Sequence, residues 1–146
     1  MSEKFKNMSM VTHHEYIVID KLIDVNDILE KVKDAIESRN LPEIQTVIEE
    51  VEFDKKIRSP CLVLRCLKKE MNALLVIFRV ANFGKITVGT YYSCIRGVDS
   101  EWDAESVHTN IKEKMNKAPN KFEYYCAFEL LLEIGWNTLK ELLNSA

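Results

Sequence analysis

Glycine is scarce in this chain. Only four occur, at Gly84, Gly89, Gly97 and Gly135. They stand too far apart to form the glycine-rich turns that cradle nucleotide phosphates. Kinases, P-loop nucleoside triphosphatases and Rossmann dehydrogenases are disfavoured for that reason. The Gly-x-Ser-x-Gly elbow of the common α/β-hydrolases and the His-Glu-x-x-His helix of zinc peptidases are missing too. No apolar run approaches the ~18–20 residues that span a bilayer. Met1–Thr12 is polar and holds no signal-type apolar stretch. The four cysteines never form a Cys-x-x-Cys pair, which fits reduced, unliganded thiols. A soluble, intracellular, cytoplasmic protein is the expectation. Basic excess is also lacking: 20 Lys and Arg stand against 23 Asp and Glu, a net charge of −3. A general binder of nucleic-acid phosphates would be basic, so neither nucleic acid nor membrane is an expected partner.

The 146 residues, 47% of them apolar, suffice for one domain with a sizeable core. A single domain over 1–146 is expected, with 1–12 as a loosely ordered start. The centre of the chain decides the architecture. Cys61–Leu67, Ala73–Ala81 and Ile86–Ile95 are three β-rich runs with short polar joints at Lys69–Asn72 and Asn82–Lys85. They read as a strand meander over about 61–96. The middle run is almost wholly apolar, as a central strand covered on both faces would be. Gly84 supplies the positive φ a tight hairpin turn requires.

Around the meander, Tyr16–Asp20 reads as another strand. Val25, Ile28, Leu29, Val32 and Ile36 recur at helical spacing behind a cap at Asp24 or Asn26. Pro42 ends that helix. Glu43–Ile57 carries both signals. Ile44, Val47, Ile48 and Val51 have helical spacing, yet Val51, Phe53 and Ile57 alternate with charged residues as in a half-buried strand. Its second half is predicted as strand and its first half stays open. Val107, Ile111 and Met115 suggest a mostly exposed helix. Phe122–Leu143 is the most apolar helix of the chain, with Gly135 inside it as a mark of close packing or a kink. The predicted fold is α+β: an antiparallel sheet of four to five strands, an N-terminal helix, and C-terminal helices packed on the sheet.

The polar residues form no constellation that demands a chemistry. Cys61 and Cys66 differ by five positions and so face opposite sides of one strand. Cys66 and Cys94 lie on the outer strands of the meander, two ~4.8 Å spacings apart, beyond the ~7 Å Cα limit of a disulfide. All four thiols, Cys126 included, are predicted to be buried and inert. His13 and His14 beside Glu15 read as a solvated start, and His108 has no evident partner. Asp99, Glu101, Asp103 and Glu105 resemble half a calcium loop. Ala104 replaces its glycine and Asn110 its final glutamate, so acidic residues at a helix start explain them better. No metal or cofactor is expected. Lys55, Lys56, Arg58, Lys68 and Lys69 read as a solvated end of the meander.

Two function classes follow. The first is a non-catalytic protein-binding or assembly module that self-associates as a homodimer or meets another protein, chaperone-like or neutralising in character. Its basis is surplus apolar surface without catalytic machinery, and its expected interface is Phe122, Tyr125, Phe128, Leu132 and Trp136. The second is a small-molecule or anion-binding domain, open to being an enzyme. Its pocket would lie between sheet and C-terminal helix, lined by Arg79, Tyr91, Tyr92, Arg96 and Trp102. The register decides that pocket. A two-residue turn at Phe83-Gly84 puts Arg79 on a face with Thr90 and Tyr92, whereas a three-residue turn puts it with Thr87 and Tyr91.

Overall fold

The computed structural model describes residues 3–4, 10–54, 56–67, 74–95 and 119–145. It is an α+β fold. In chain order the elements are β1 (Glu3–Lys4), β2 (Met10–Ile19), α1 (Val25–Glu37), β3 (Ile44–Asp54), β4 (Ile57–Cys66), β5 (Leu74–Phe83), β6 (Ile86–Ile95) and α2 (Pro119–Ser145). The sheet order is β1-β3-β4-β5-β6-β2. Five strands, β3-β4-β5-β6-β2, pair antiparallel. The expected four to five antiparallel strands gain one addition, the two-residue β1, which pairs parallel to β3. Glu3–Lys4 and Met10–Thr12, within the stretch expected as a loose start, lie in β1 and β2. The predicted Val107–Met115 helix, the Asp99–Glu105 acidic run and His108 fall outside the described residues.

Helix α1 follows its sequence pattern closely. Asp24 caps it, its carboxylate accepting from the Asp27 N–H at 3.1 Å. Ile28, Leu29, Val32 and Ile36 are its buried residues. The chain leaves the helix through Asn40 and Glu43, both with positive φ (48° and 63°). Asn tolerates that region well. Glu43 is held there by its carbonyl, which accepts from the Leu67 N–H. The turn delivers the chain into β3, which is strand from Ile44 onward and pairs with β4 from Ile44↔Cys66 to Asp54↔Ile57. The segment left open by the sequence is therefore extended. A full ladder of cross-strand partners outweighs its helical spacing, and β-branched Thr46, Val47 and Ile48 suit the pleat.

The hairpin joining β5 to β6 pairs Phe83 with Ile86, leaving Gly84-Lys85 as the two-residue turn, with Gly84 at φ 56°. The turn sits one residue later than Phe83-Gly84, but the parity of the pairing is unchanged.

Both described helices lie on one face of the sheet. They pack on Leu62, Leu64, Cys66, Leu74, Val76, Phe78, Val80 and Tyr91. The other face holds a second buried cluster of Val51, Cys61, Val63, Leu75, Ile77 and Cys94. The central strand β5 is thus buried on both sides, as its continuous apolar run implies. Gly135 sits where α2 meets β5, and a Cβ there would stand 2.5 Å from Cζ of Phe78. Of the two expectations, close packing or a kink, close packing accounts for this glycine. Among the described residues no helix is long and apolar enough to cross a membrane.

Candidate ligand cleft beside the C-terminal helix

Strand alternation divides the residues predicted to form a pocket. Arg79 pairs with Thr90 across β5 and β6, and Tyr92 shares their face. Tyr91, one position away, points to the opposite face and joins the helix-side core. Arg79 and Tyr92 lie on the side away from α1 and α2, so the structure does not bring them to the sheet–helix boundary with Tyr91. Arg96 and Trp102 fall outside the described residues.

Arg79 is half-buried. Its guanidinium carbon lies 4.4 Å from the centroid of the Phe53 ring, a cation–π contact. Its Nε is buried and has no hydrogen-bond partner among the described residues. Phe53 in turn lies 6.2 Å from Tyr92, and Tyr92 stacks on His14 at 6.5 Å. Directly opposite Arg79 on β4 is Cys61. Burial pushes the Cys61 thiol up to about 12, against the smaller downward pulls of the Arg79 charge and of the Ser59 side chain, and the thiol donates to the Ser59 carbonyl at 3.5 Å. Such a thiol stays protonated and unreactive at neutral pH. Cys94 is pushed to about 12 by burial alone. The neighbouring Arg65 is paired with Glu49.

Of the predicted interface residues, Phe128 and Trp136 are 4% and 6% exposed and belong to the core between α2 and the sheet. Leu132 is half-buried against that core. The side chains of Phe122 and Tyr125 fall outside the described residues.

On the helix side the structure brings together a set that the sequence alone does not assemble. Cys126, Glu129, Glu133 and Trp136 follow one another along α2 at steps of three or four, so they share one face of the helix. That face looks onto the β2–β6 pair. There Glu15 lies opposite Tyr91, and the Tyr91 hydroxyl donates to the Glu15 carboxylate at 2.9 Å. The Tyr91 ring meets Trp136 edge-on, with centroids 4.9 Å apart and planes at 65°. Together with Leu130 and Leu132 these residues line a cleft of about 560 Å³. Its floor is aromatic and its walls carry three carboxylates. The Tyr91 hydroxyl is held well above its ordinary pKa, by burial first, then by its hydrogen bond to Glu15, with the charges of Glu15 and Glu129 adding to the effect. Tyr91 is therefore a fixed donor at physiological pH. Among the described residues no three His, Cys, Asp or Glu side chains converge as a metal site would require.

Cys126, predicted to be buried like the other cysteines, is exposed at the mouth of this cleft. The apolar stretch around it concealed which way that turn of the helix faces. One cysteine in the native protein is expected to react quickly with a water-soluble thiol reagent, and all four after denaturation. Two or more fast native thiols would contradict the burial of Cys61, Cys66 and Cys94. A faint sequence signal for the cleft did exist. Glu129 and Glu133 are the only charges between Tyr124 and Ile134, and at i,i+4 they fall on one side of an otherwise apolar helix.

Comparison with protein-family models, with curated proteins and with solved structures finds no match. Function is accordingly argued from the geometry alone.

Proposed function

We propose that this protein is a non-catalytic binding and assembly module that associates with a second copy of itself along the outer edge of β2. The observation that supports this reading is the character of that edge. β2 is ten residues long and, among the described residues, pairs only with β6. Its segment Tyr16-Ile-Val-Ile19 contains no charge and no proline. Tyr16 is 72% exposed, Val18 on the same face is 50% exposed, and Leu22 just beyond is 55% exposed. The irregularity between Val11 and His13 and the charge of Glu15 blunt the first half of this edge, whereas the regular, uncharged and exposed Tyr16–Ile19 stretch is of the kind that invites another strand.

A second copy suits the edge because β2 is complementary to itself. Antiparallel pairing centred on Ile17 sets Tyr16 against Val18 of the other copy, an aromatic–β-branched pair of the kind that stabilises sheets by about 0.2–1 kcal/mol. It also sets His14 against Asp20. Light scattering behind size exclusion, run across a wide concentration range, tests the proposal. A dimer is expected, and Val18→Lys should shift it to monomer with unchanged circular dichroism, because the side chain is half exposed already. A wild-type monomer at every concentration would overturn the reading. A dimer indifferent to Val18→Lys would reject the β2 contact.

A second reading, a small-molecule site between the sheet and the C-terminal helix, is favoured by the cleft at that boundary. The charge of the cleft differs from the arginine-lined pocket the sequence suggested, since its walls are carboxylates.

A further inference from the structure

We propose that the cleft between α2 and the β2–β6 pair binds an elongated organic cation, an aliphatic polyamine in chemical class. The inference is independent of the pairing along β2. It begins with the cavity. A concavity of about 560 Å³ lies within the ~300–1,000 Å³ of small-molecule sites, which combine an apolar lining with a few placed polar groups. Buried Tyr91 and Trp136, fixed edge to face, form the floor, and Leu130 and Leu132 extend the apolar wall. Such a surface accepts methylene groups and the face of a cation.

The charges set the sign of the ligand. Among the described residues, Glu15, Glu129 and Glu133 line the cleft and no basic side chain does. Glu15 is oriented by the Tyr91 hydroxyl. Glu129 and Glu133 make no ion pair or hydrogen bond among the described residues, and like charges at i,i+4 destabilise a helix. A cation lying between them would remove that repulsion. The Lys140 Nζ lies 5.7 Å from the Trp136 centroid, although Lys140 is not part of the cleft lining.

The spacing sets the shape of the ligand. The carboxylates do not converge on one point, so a compact metal ion would satisfy them poorly. Glu129 and Glu133 stand one helical turn apart, with Cβ atoms about 5–6 Å from each other, and Glu15 faces them from the sheet. Several ammonium groups joined by short methylene chains match separated carboxylates over an apolar floor.

The test uses the full chain, spermidine as probe, and Cys126 as reporter at the mouth of the cleft. Spermidine is expected to slow maleimide modification of Cys126 in a saturable manner and to change the fluorescence of Trp136, read in a Trp102→Phe background. Magnesium chloride at the same ionic strength should do neither. The double change Glu129→Gln, Glu133→Gln alters only exposed side chains, so the fold should persist, and spermidine affinity should fall at least about tenfold. Equal protection by magnesium would reduce the effect to general screening and overturn the proposal. Unchanged spermidine affinity in the double variant would do the same.

Discussion

Replacing Phe78 by alanine is expected to destabilise the protein by about 3–5 kcal/mol, the usual range for a large aromatic removed from a packed core. Phe78 is fully buried on the central strand β5. It touches both halves of the helix-side core, with its ring 6.4 Å from Tyr91 and its tip against Gly135 of α2. The same contact makes a second substitution informative. On helix propensity alone, Gly135→Ala should stabilise α2 by about 1 kcal/mol. The structure predicts the opposite sign. A Cβ at Gly135 would lie 2.5 Å from Cζ of Phe78 and 3.0 Å from Cδ1 of Ile36. Phe78 cannot swing aside in a filled core, and overpacking of this kind costs about 1–3 kcal/mol.

Urea unfolding of Gly135→Ala, Phe78→Leu and the double variant closes the cycle. The shorter leucine should make room for the new methyl, so the double variant should be more stable than the sum of the single losses by about 0.5–3 kcal/mol. A stabilised Gly135→Ala protein, or strict additivity, would show that α2 does not press on β5 at this point.

The second large effect is loss of stability in alkali. Cys61 and Cys94 are raised from 9.0 to about 12 in the folded protein, both chiefly by burial. A raised folded-state pKa means that the unfolded chain releases the proton first. The stabilising contribution is therefore complete below pH 9 and declines as pH climbs from 9 towards 12. Each thiol adds a slope of about 1.4 kcal/mol per pH unit within that window. Tyr91 moves in the same direction from its ordinary value of 10.0, which steepens the fall above that pH. The urea midpoint should thus hold steady to about pH 9 and then drop sharply. A Cys61→Ala, Cys94→Ala double variant should begin from a lower midpoint, because methyl groups fill the space less well. Its alkaline slope should nevertheless be shallower, by up to about 2.7 kcal/mol per pH unit. Parallel slopes in the two proteins would show that these thiols titrate elsewhere.

Much of the fold was legible along the chain. Where a pattern is local, the residues carried most of the signal: a cap narrowed to Asp24 or Asn26, the apolar stripe of α1, a hairpin at Gly84 though not its register, and the wholly apolar β5. Gly135 signalled either a close approach or a kink. What it could not reveal was the partner, since Phe78 comes near only when α2 lies across the sheet. The first half of β3 was ambiguous for a related reason. Its apolar spacing suits a helix, and it is extended because β4 offers it a continuous ladder of partners.

The functional surfaces were much less legible. Tyr91 and Tyr92 are neighbours in the chain, but strand alternation sends one to the helix side beside Trp136 and the other to the face of Arg79 and Phe53. A single pocket holding both is not what the pleat permits. The cleft depends on even longer reach. Glu15 and Tyr91 are separated by 76 positions and meet because β2 closes the sheet against β6.

Composition and periodicity by themselves determined the class of this protein: an α+β fold built around a meander, in a sequence with no glycine-rich nucleotide loop, no membrane-length apolar run and no basic excess. Those properties follow from short-range preferences and from counts, which a linear chain displays directly. Tertiary structure alone decided which residues share a face, which strands stand at the sheet edges among the described residues, and that Cys126 opens onto a carboxylate-walled cleft while the other cysteines lie buried. These depend on strand order and pairing register, and neither leaves a mark on the sequence until distant strands are laid side by side.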